Sequence, residues 1–586
     1  MLPRTLLVAF IVLISACATG PVANNAADDV AAASQAPKPA KPAPPAERPF
    51  PDDSLHELLI AEFALRRREY NVALETYMAQ AAKLGDAGVA AHTTRLAQYL
   101  DRRPESLEAA LLWARLEPTS KGAHSAAARQ LVLQGRNAEA LVHLKAVEEI
   151  DSPANFMIVT SNFARLSAED KTALAQGVNA LAPQFPNNGS LLLTQALIYN
   201  ELNARDEALD SLAALFEIDP EQYQALLLEA TILADQGAKK PYRRIEKTLQ
   251  RNPQDQTLRL RYARLLTATD LRAAREQFEI LSLQSPDDAD LLFSLALINR
   301  EVGDEDAAIH YLRAMVELGE RADEAHYYLG RIAQESGDTE QALGHYQAVG
   351  DGEQFMAATG RIGEILIQSQ QTVRFLAWFS DQRDHYPERR NALFGLEAQL
   401  LGQAGQPDLA VTLLNEALAE SPHESSLLYA RAMLSEQKGD LVSMERDLRD
   451  ILSREPNHAT ALNALGYTLA NRTDRHQEAL KLISRALELQ PGEPAILDSM
   501  GWVLFRLQRY EEALHYLTRA YAEFPDPEVA AHLGEVMWTL GDTDGALTVW
   551  RAAYASDPDH AVLQETLQRL GITTLGSGTP DAQPAP

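Results

Sequence analysis

Histidines, carboxylates and one cysteine are the residues of this sequence most able to carry chemistry, and their arrangement argues against catalysis. The 14 histidines are scattered without ligand spacing, which predicts no metal site. No HExxH, GxSxG, P-loop or GxGxxG stands where a strand or helix would give it a mechanism. The adjacent acids Asp52-Asp53 and Asp287-Asp288 fall in loops, where helix capping and solvation explain them better than acid–base work. The expectation is a protein that is no enzyme. The aromatic residues Trp502, Phe505, Trp538 and Trp550 recur at helical spacing, which reads first as packing.

Cys17 is the only cysteine, so neither an internal disulfide nor a cysteine metal cluster is possible. Before it, residues 1–16 read as a signal peptide, with Arg4, an apolar run from Leu6 to Ile14, and the small residues Ser15 and Ala16. That run is too short to span a bilayer. Ile14-Ser15-Ala16-Cys17 resembles the bacterial lipobox, which implies that Cys17 becomes the acylated first residue of the mature chain, its covalent lipid standing in place of any cofactor. Ala18 follows, where an aspartate would imply retention in the inner membrane, so the expected location is the outer membrane, facing the periplasm. At about 0.8 kcal/mol per buried CH2, several acyl chains make a permanent anchor.

The charge balance is 53 Lys plus Arg against 82 Asp plus Glu, a net −29, which sets the chain against nucleic acid and in favour of basic protein partners. Residues 17–53 form an Ala- and Pro-rich tether that cannot bury enough apolar surface to fold. Residues 573–586 form a Gly-, Thr- and Pro-rich tail, expected to be disordered.

Between these ends the sequence is periodic. Prolines recur at Pro118, Pro153, Pro186, Pro220, Pro253 and Pro286, then at Pro387, Pro422, Pro456, Pro491, Pro525 and Pro558, every step within a series being 33 to 35 residues. The 101 residues separating the series make three more steps, with Glu320 at the first missing proline. In phase with them run small residues such as Ala196, Ala296, Gly330, Ala432, Gly466, Gly501 and Gly534. Seven places after such a marker comes a turn glycine, as at Gly303, Gly337, Gly439 and Gly541. Two amphipathic helices per period, joined by the glycine turn, make a hairpin that buries its apolar face only by stacking on the next. The class predicted is all-α. Residues 54–286 form a looser N-terminal region, 287–558 a regular array and 559–572 a capping helix, with unusual packing or a kink expected near Phe156 to Pro183 and Gln354 to Pro387.

The run Ala461-Leu-Asn-Ala-Leu-Gly-Tyr467, Glu478-Ala-Leu480, then Met500-Gly-Trp502 and Tyr510-Glu-Glu-Ala-Leu514 resembles the tetratricopeptide repeat. That resemblance implies roughly 14 hairpins in a right-handed superhelical solenoid. It also implies that the first helix of each hairpin faces a concave groove at set distances from the marker. Those positions hold Tyr327 and Arg331, Tyr429 and Met433, Asn463 and Tyr467, then Asp498, Trp502, Phe505 and Arg506, and finally Glu535 and Trp538. Aromatic anchors mixed with arginine are the composition of interaction hot spots. The lysine and asparagine clamp of the chaperone-binding subclass is absent there.

Lipobox, proline-rich tether, looser helical start and acidic repeat array together resemble the LbcA type of outer-membrane lipoprotein. This implies an adaptor that holds a periplasmic carboxyl-terminal processing protease and its substrates, peptidoglycan cross-link hydrolases, and so promotes their proteolysis. The helices around Leu55, Leu58, Leu59 and Phe63 are expected to dock the protease, and the regular groove the substrate. The alternative is a scaffold for an outer-membrane polysaccharide or pilus export machine.

Overall fold

The computed structural model describes residues 51–572 except 52 and 152. Cys17, the signal peptide, nearly all of the tether, and the tail lie outside them. The described residues are helical, with thirty α-helices, α1 to α30 in chain order, and no strand among them. None is long and apolar enough to cross a membrane. The helices pair in sequence: those of residues 54–151 make three hairpins, those of 189–284 three more and those of 322–556 seven, close to the number the periodicity implies. The chain divides into two compact units that meet between Tyr311 and Leu312, within α15 (Glu305–Leu318).

In the first unit, the terminal hairpin is α1 (Ser54–Arg66) with α2 (Tyr70–Leu84), closed over Ala61, Ala64, Ala73, Leu74 and Tyr77. After α6 (Asn137–Asp151) the repeat fails. Where a first helix is due, two 3-10 turns, Phe156–Thr160 and Phe163–Arg165, lead into α7 (Ala168–Leu181). Buried Asn137 makes this possible: its Nδ2 donates to Val159 O and Asn162 Oδ1, both at 2.6 Å, pairing backbone that no helix satisfies. Phe156, Val159 and Phe163 fill the space the helix leaves.

In the second unit, the expected irregularity near 354–387 does not occur in the backbone. That segment is an ordinary hairpin, α18 (Phe355–Gln368) with α19 (Thr372–His385). Gly363 takes the marker place there, and a Cβ on it would stand 2.5 Å from Leu400 Cδ1 and 3.1 Å from both Phe375 and Phe379.

The marker is small for a physical reason seen again at the C-terminal end. In α26 (Pro494–Arg506), a Cβ on Gly501 would stand 2.4 Å from Leu517 of α27 (Tyr510–Glu523). On Gly534 of α28 (Pro527–Thr539) it would stand 2.3 Å from the indole Nε1 of Trp550 in α29 (Thr543–Ser556). Trp550 is fully buried and has nowhere to retreat. Gly534→Ala is therefore expected to cost about 1–3 kcal/mol by overpacking, read as faster hydrogen exchange in α28 and α29.

Most turns between paired helices contain a left-handed residue, although those at 268–270 and 473–475 do not. Gly541 supplies it at φ 91°, yet Asn203, Gln370 and Gln508 hold the same place at φ 60°, 58° and 62° without being glycine. Stacking of the hairpins imposes the turn, and glycine merely lowers its cost.

Candidate functional site

The residues singled out by the sequence fall into three surroundings. At the N-terminal edge, Leu55, Leu59 and Phe63 follow one another along α1 at single-turn-plus-one spacing and are 58%, 47% and 58% exposed. Ile60 and Val72 are also exposed. Leu58 turns the other way and packs on the terminal core. Three large apolar side chains thus stand exposed in one row along α1.

The middle group is half-buried. In α16 (Ala322–Glu335), Tyr327 lies 5.9 Å from the Tyr346 ring of α17 (Thr339–Gln347), and Arg331 pairs with Glu335 at 3.3 Å. Tyr429 of α22 (Ser425–Gln437) packs against the core of the second unit, and burial pushes its hydroxyl pKa up. Neither Tyr327 nor Tyr429 touches the C-terminal group in any recorded contact.

The C-terminal group comes together, but not as an open groove. Asp498 and Trp502 are each only 6% exposed. The Asp498 carboxylate lies 2.9 Å and 3.1 Å from Nδ1 of His532, and the His532 ring stacks on Trp502 at 4.1 Å and 22°. Phe505 also stacks on Trp502, at 5.2 Å. From α24 (Ala459–Arg472), the Tyr467 hydroxyl reaches two repeats on and donates to Glu528 at 2.5 Å. Glu535 accepts both arms of Arg569 at 2.6 Å, fastening α30 (Ala561–Arg569). Arg506 donates to Asn471 O at 3.4 Å, and Trp538 packs on Trp550 at 5.8 Å. Two polar atoms inside the group, Trp502 Nε1 and Asn463 Oδ1, are buried with no hydrogen-bond partner.

His532, which no sequence argument picked out, is the centre of this group. It sits two places before its marker, off the positions that the repeat pattern assigns to the groove, so the pattern had no means of finding it. Burial opposes its charge, but Asp498 first, with Glu528 and Glu535, holds the imidazole above its ordinary pKa.

A second buried ion pair links α19 to α20 (Arg390–Gln403): Arg383 lies on Glu397 and over the Phe394 ring at 4.2 Å. Burial pushes the Glu397 carboxyl up to about 7, although Arg383 works the other way. A carboxyl whose folded pKa exceeds its unfolded value makes its full contribution to stability below about pH 4.5 and loses it as pH rises through about 7. Glu397→Gln is therefore expected to remove up to about 3 kcal/mol of pH dependence between those limits. Hydrogen exchange of α19 and α20 in both proteins at pH 4.5 and 8 measures it; equal slopes would refute the assignment.

Stacked helical hairpins with a marker glycine under the partner helix define a repeat scaffold. The chain belongs to the tetratricopeptide repeat family. The family profile, described as tetratricopeptide repeat, matches residues 263–323, 300–354, 396–443, 445–494 and 499–561. The TPR repeat-containing protein PA4667 of Pseudomonas aeruginosa is 37% identical over 536 residues, 91% of this chain and 90% of that one. Tetratricopeptide repeat protein 8 of Caenorhabditis elegans is 24% identical over 192 residues, 32% of this chain and 37% of that one. Among solved structures, the APC/C hetero-tetramer Cut9-Hcn1 is 16% identical, covering 88% of this chain and 96% of that one with a TM-score of 0.31. The family is one of protein-binding scaffolds.

Proposed function

We propose that this protein is an outer-membrane lipoprotein adaptor, anchored through Cys17, that holds a periplasmic carboxyl-terminal processing protease together with its peptidoglycan cross-link hydrolase substrates and so promotes their proteolysis. The observation that carries the reading is the exposed apolar row Leu55, Leu59 and Phe63 on α1, the helix that follows the tether and opens the array. One chain with a distinct terminal contact face and a long acidic scaffold can hold two partners at once. Holding both raises the effective concentration of substrate at the protease without any chemistry in the adaptor. The net charge of −29 favours substrates that are basic, as proteins that grip an anionic wall polymer tend to be, and speeds their encounter.

The test is affinity capture with the mature chain from an envelope extract. Recovery of a processing protease with basic hydrolases supports the adaptor. Recovery of outer-membrane export subunits without a protease replaces it with an assembly scaffold for polysaccharide or pilus export.

A further inference from the structure

Histidines that look scattered along the chain meet in pairs. In the hairpin of α5 (Lys121–Leu133) and α6, His124 Nδ1 lies 3.0 Å from His143 Nδ1. In the hairpin of α16 and α17, His326 Nδ1 lies 3.2 Å from His345 Nδ1. Each pair is 19 residues apart and occupies the same two places in its hairpin: four before the small marker, Ala128 or Gly330, and fifteen after it. Other hairpins hold leucine at the first of these places, as at Leu192, Leu292, Leu428 and Leu462, another holds Arg259, and none of these has histidine at the second. Histidine thus enters this core position together with its partner.

Each pair stands at hydrogen-bond distance, one Nδ1–H donating to the other Nδ1, and a metal ion would take the place of that proton, which moves to the far ring nitrogen or to water. His124 Nε2 lies 3.0 Å from Pro118 O, and donating its proton there leaves the lone pair on Nδ1, directed at His143. Such a bond on the far ring nitrogen is how metal-binding histidines are oriented. Two imidazole nitrogens at about 2.0–2.1 Å from one ion stand about 3.3–3.4 Å apart in a tetrahedral site and about 2.9 Å apart in a square-planar one. The observed separations fall between these values, so an ion needs the two nitrogens to shift by a few tenths of an ångström and both rings to turn until their lone pairs converge on it. We propose that His124–His143 and His326–His345 are two bis-histidine clips, each binding one borderline divalent transition-metal ion, Zn2+ or Cu2+, through its two Nδ1 atoms, with water completing the shell.

Burial holds His143, His326 and His345 below their ordinary pKa, so they present the neutral ring that binds metal at neutral pH. Neighbouring charge separates the two clips. Glu139, paired with Arg136, lies near His143, whereas Arg313 near His345 opposes a cation and Asp323 near His326 favours one. A bound ion would join the two helices of its hairpin, and binding to the folded form alone would stabilise that hairpin.

Calorimetric titration of the full mature chain with ZnCl2, and separately with CuCl2, tests this, paired with hydrogen exchange. Two equivalents are expected, with slower exchange confined to α5–α6 and α16–α17. His124→Leu and His326→Leu are each expected to remove one equivalent and the protection of their own hairpin, and the double variant both. Leucine occupies the same place in other hairpins, so these variants should fold, which circular dichroism checks. Wild-type exchange that does not change on adding metal, or uptake undiminished in the double variant, overturns the proposal.

Discussion

Leu55→Ser, Leu59→Ser and Phe63→Ser, made together, are expected to weaken capture of the processing protease by at least roughly 100-fold while leaving the thermal unfolding of the chain unchanged. Each of these side chains would contribute about 1.5–3 kcal/mol if fully buried by a partner, and even a partial loss over three of them exceeds the about 2.7 kcal/mol that a 100-fold change requires. The fold is spared because the three already face solvent. Leu58 is the internal control. It packs on the terminal core, so Leu58→Ser is expected to loosen α1 and α2 directly, seen as faster exchange there. If the triple variant retains wild-type affinity, or if a chain lacking Leu55 to Leu84 still binds and activates the protease fully, the terminal helices are not the docking face.

His532→Ala is expected to destabilise the last repeats by about 3–5 kcal/mol, the range for breaking a buried pair and leaving one partner behind. Asp498 would remain almost wholly buried with no cation, and Trp502 would lose the ring stacked on it at 4.1 Å. In a repeat array the loss should stay local, so the readout is exchange in α26 and α28 together with the fluorescence of Trp502. The sign with pH follows from the direction of the shift. An imidazole held above its unfolded pKa makes its full contribution below about pH 6.5 and loses it as pH rises through its folded value. Asp498→Asn keeps a hydrogen-bond acceptor but removes the charge, so the His532 imidazole should titrate at lower pH in nuclear magnetic resonance spectra. An unmoved titration would mean that Asp498 does not set it.

This group also shows how a repeat pattern misleads about exposure. Counting from Gly501 and Gly534 places Asp498, Trp502 and Glu535 on first helices, where the structure has them. It could not show that Tyr467 reaches Glu528 across two repeats, or that Arg569 closes on Glu535, so side chains assigned to an open groove are instead engaged with one another. Likewise Leu55, Leu58, Leu59 and Phe63 look alike in sequence, and only the packing of α1 on α2 separates the one that turns inward from the three that do not.

The sequence by itself determined the all-helical class, the hairpin register and the two ends of each unit, because proline, glycine and small residues act through their own backbone and through a close approach repeated every 33 to 35 residues. Tertiary structure alone decided what happened where that local code was silent: the 3-10 turns satisfied by Asn137, left-handed turns at Asn203, Gln370 and Gln508, and the meeting of residues 19, 34 or 61 places apart. Spacing along one helix is set by its 3.6-residue turn. Distances between helices depend on how each hairpin settles on the next, and that is where Asp498 finds His532 and where paired histidines come within reach of a shared ion.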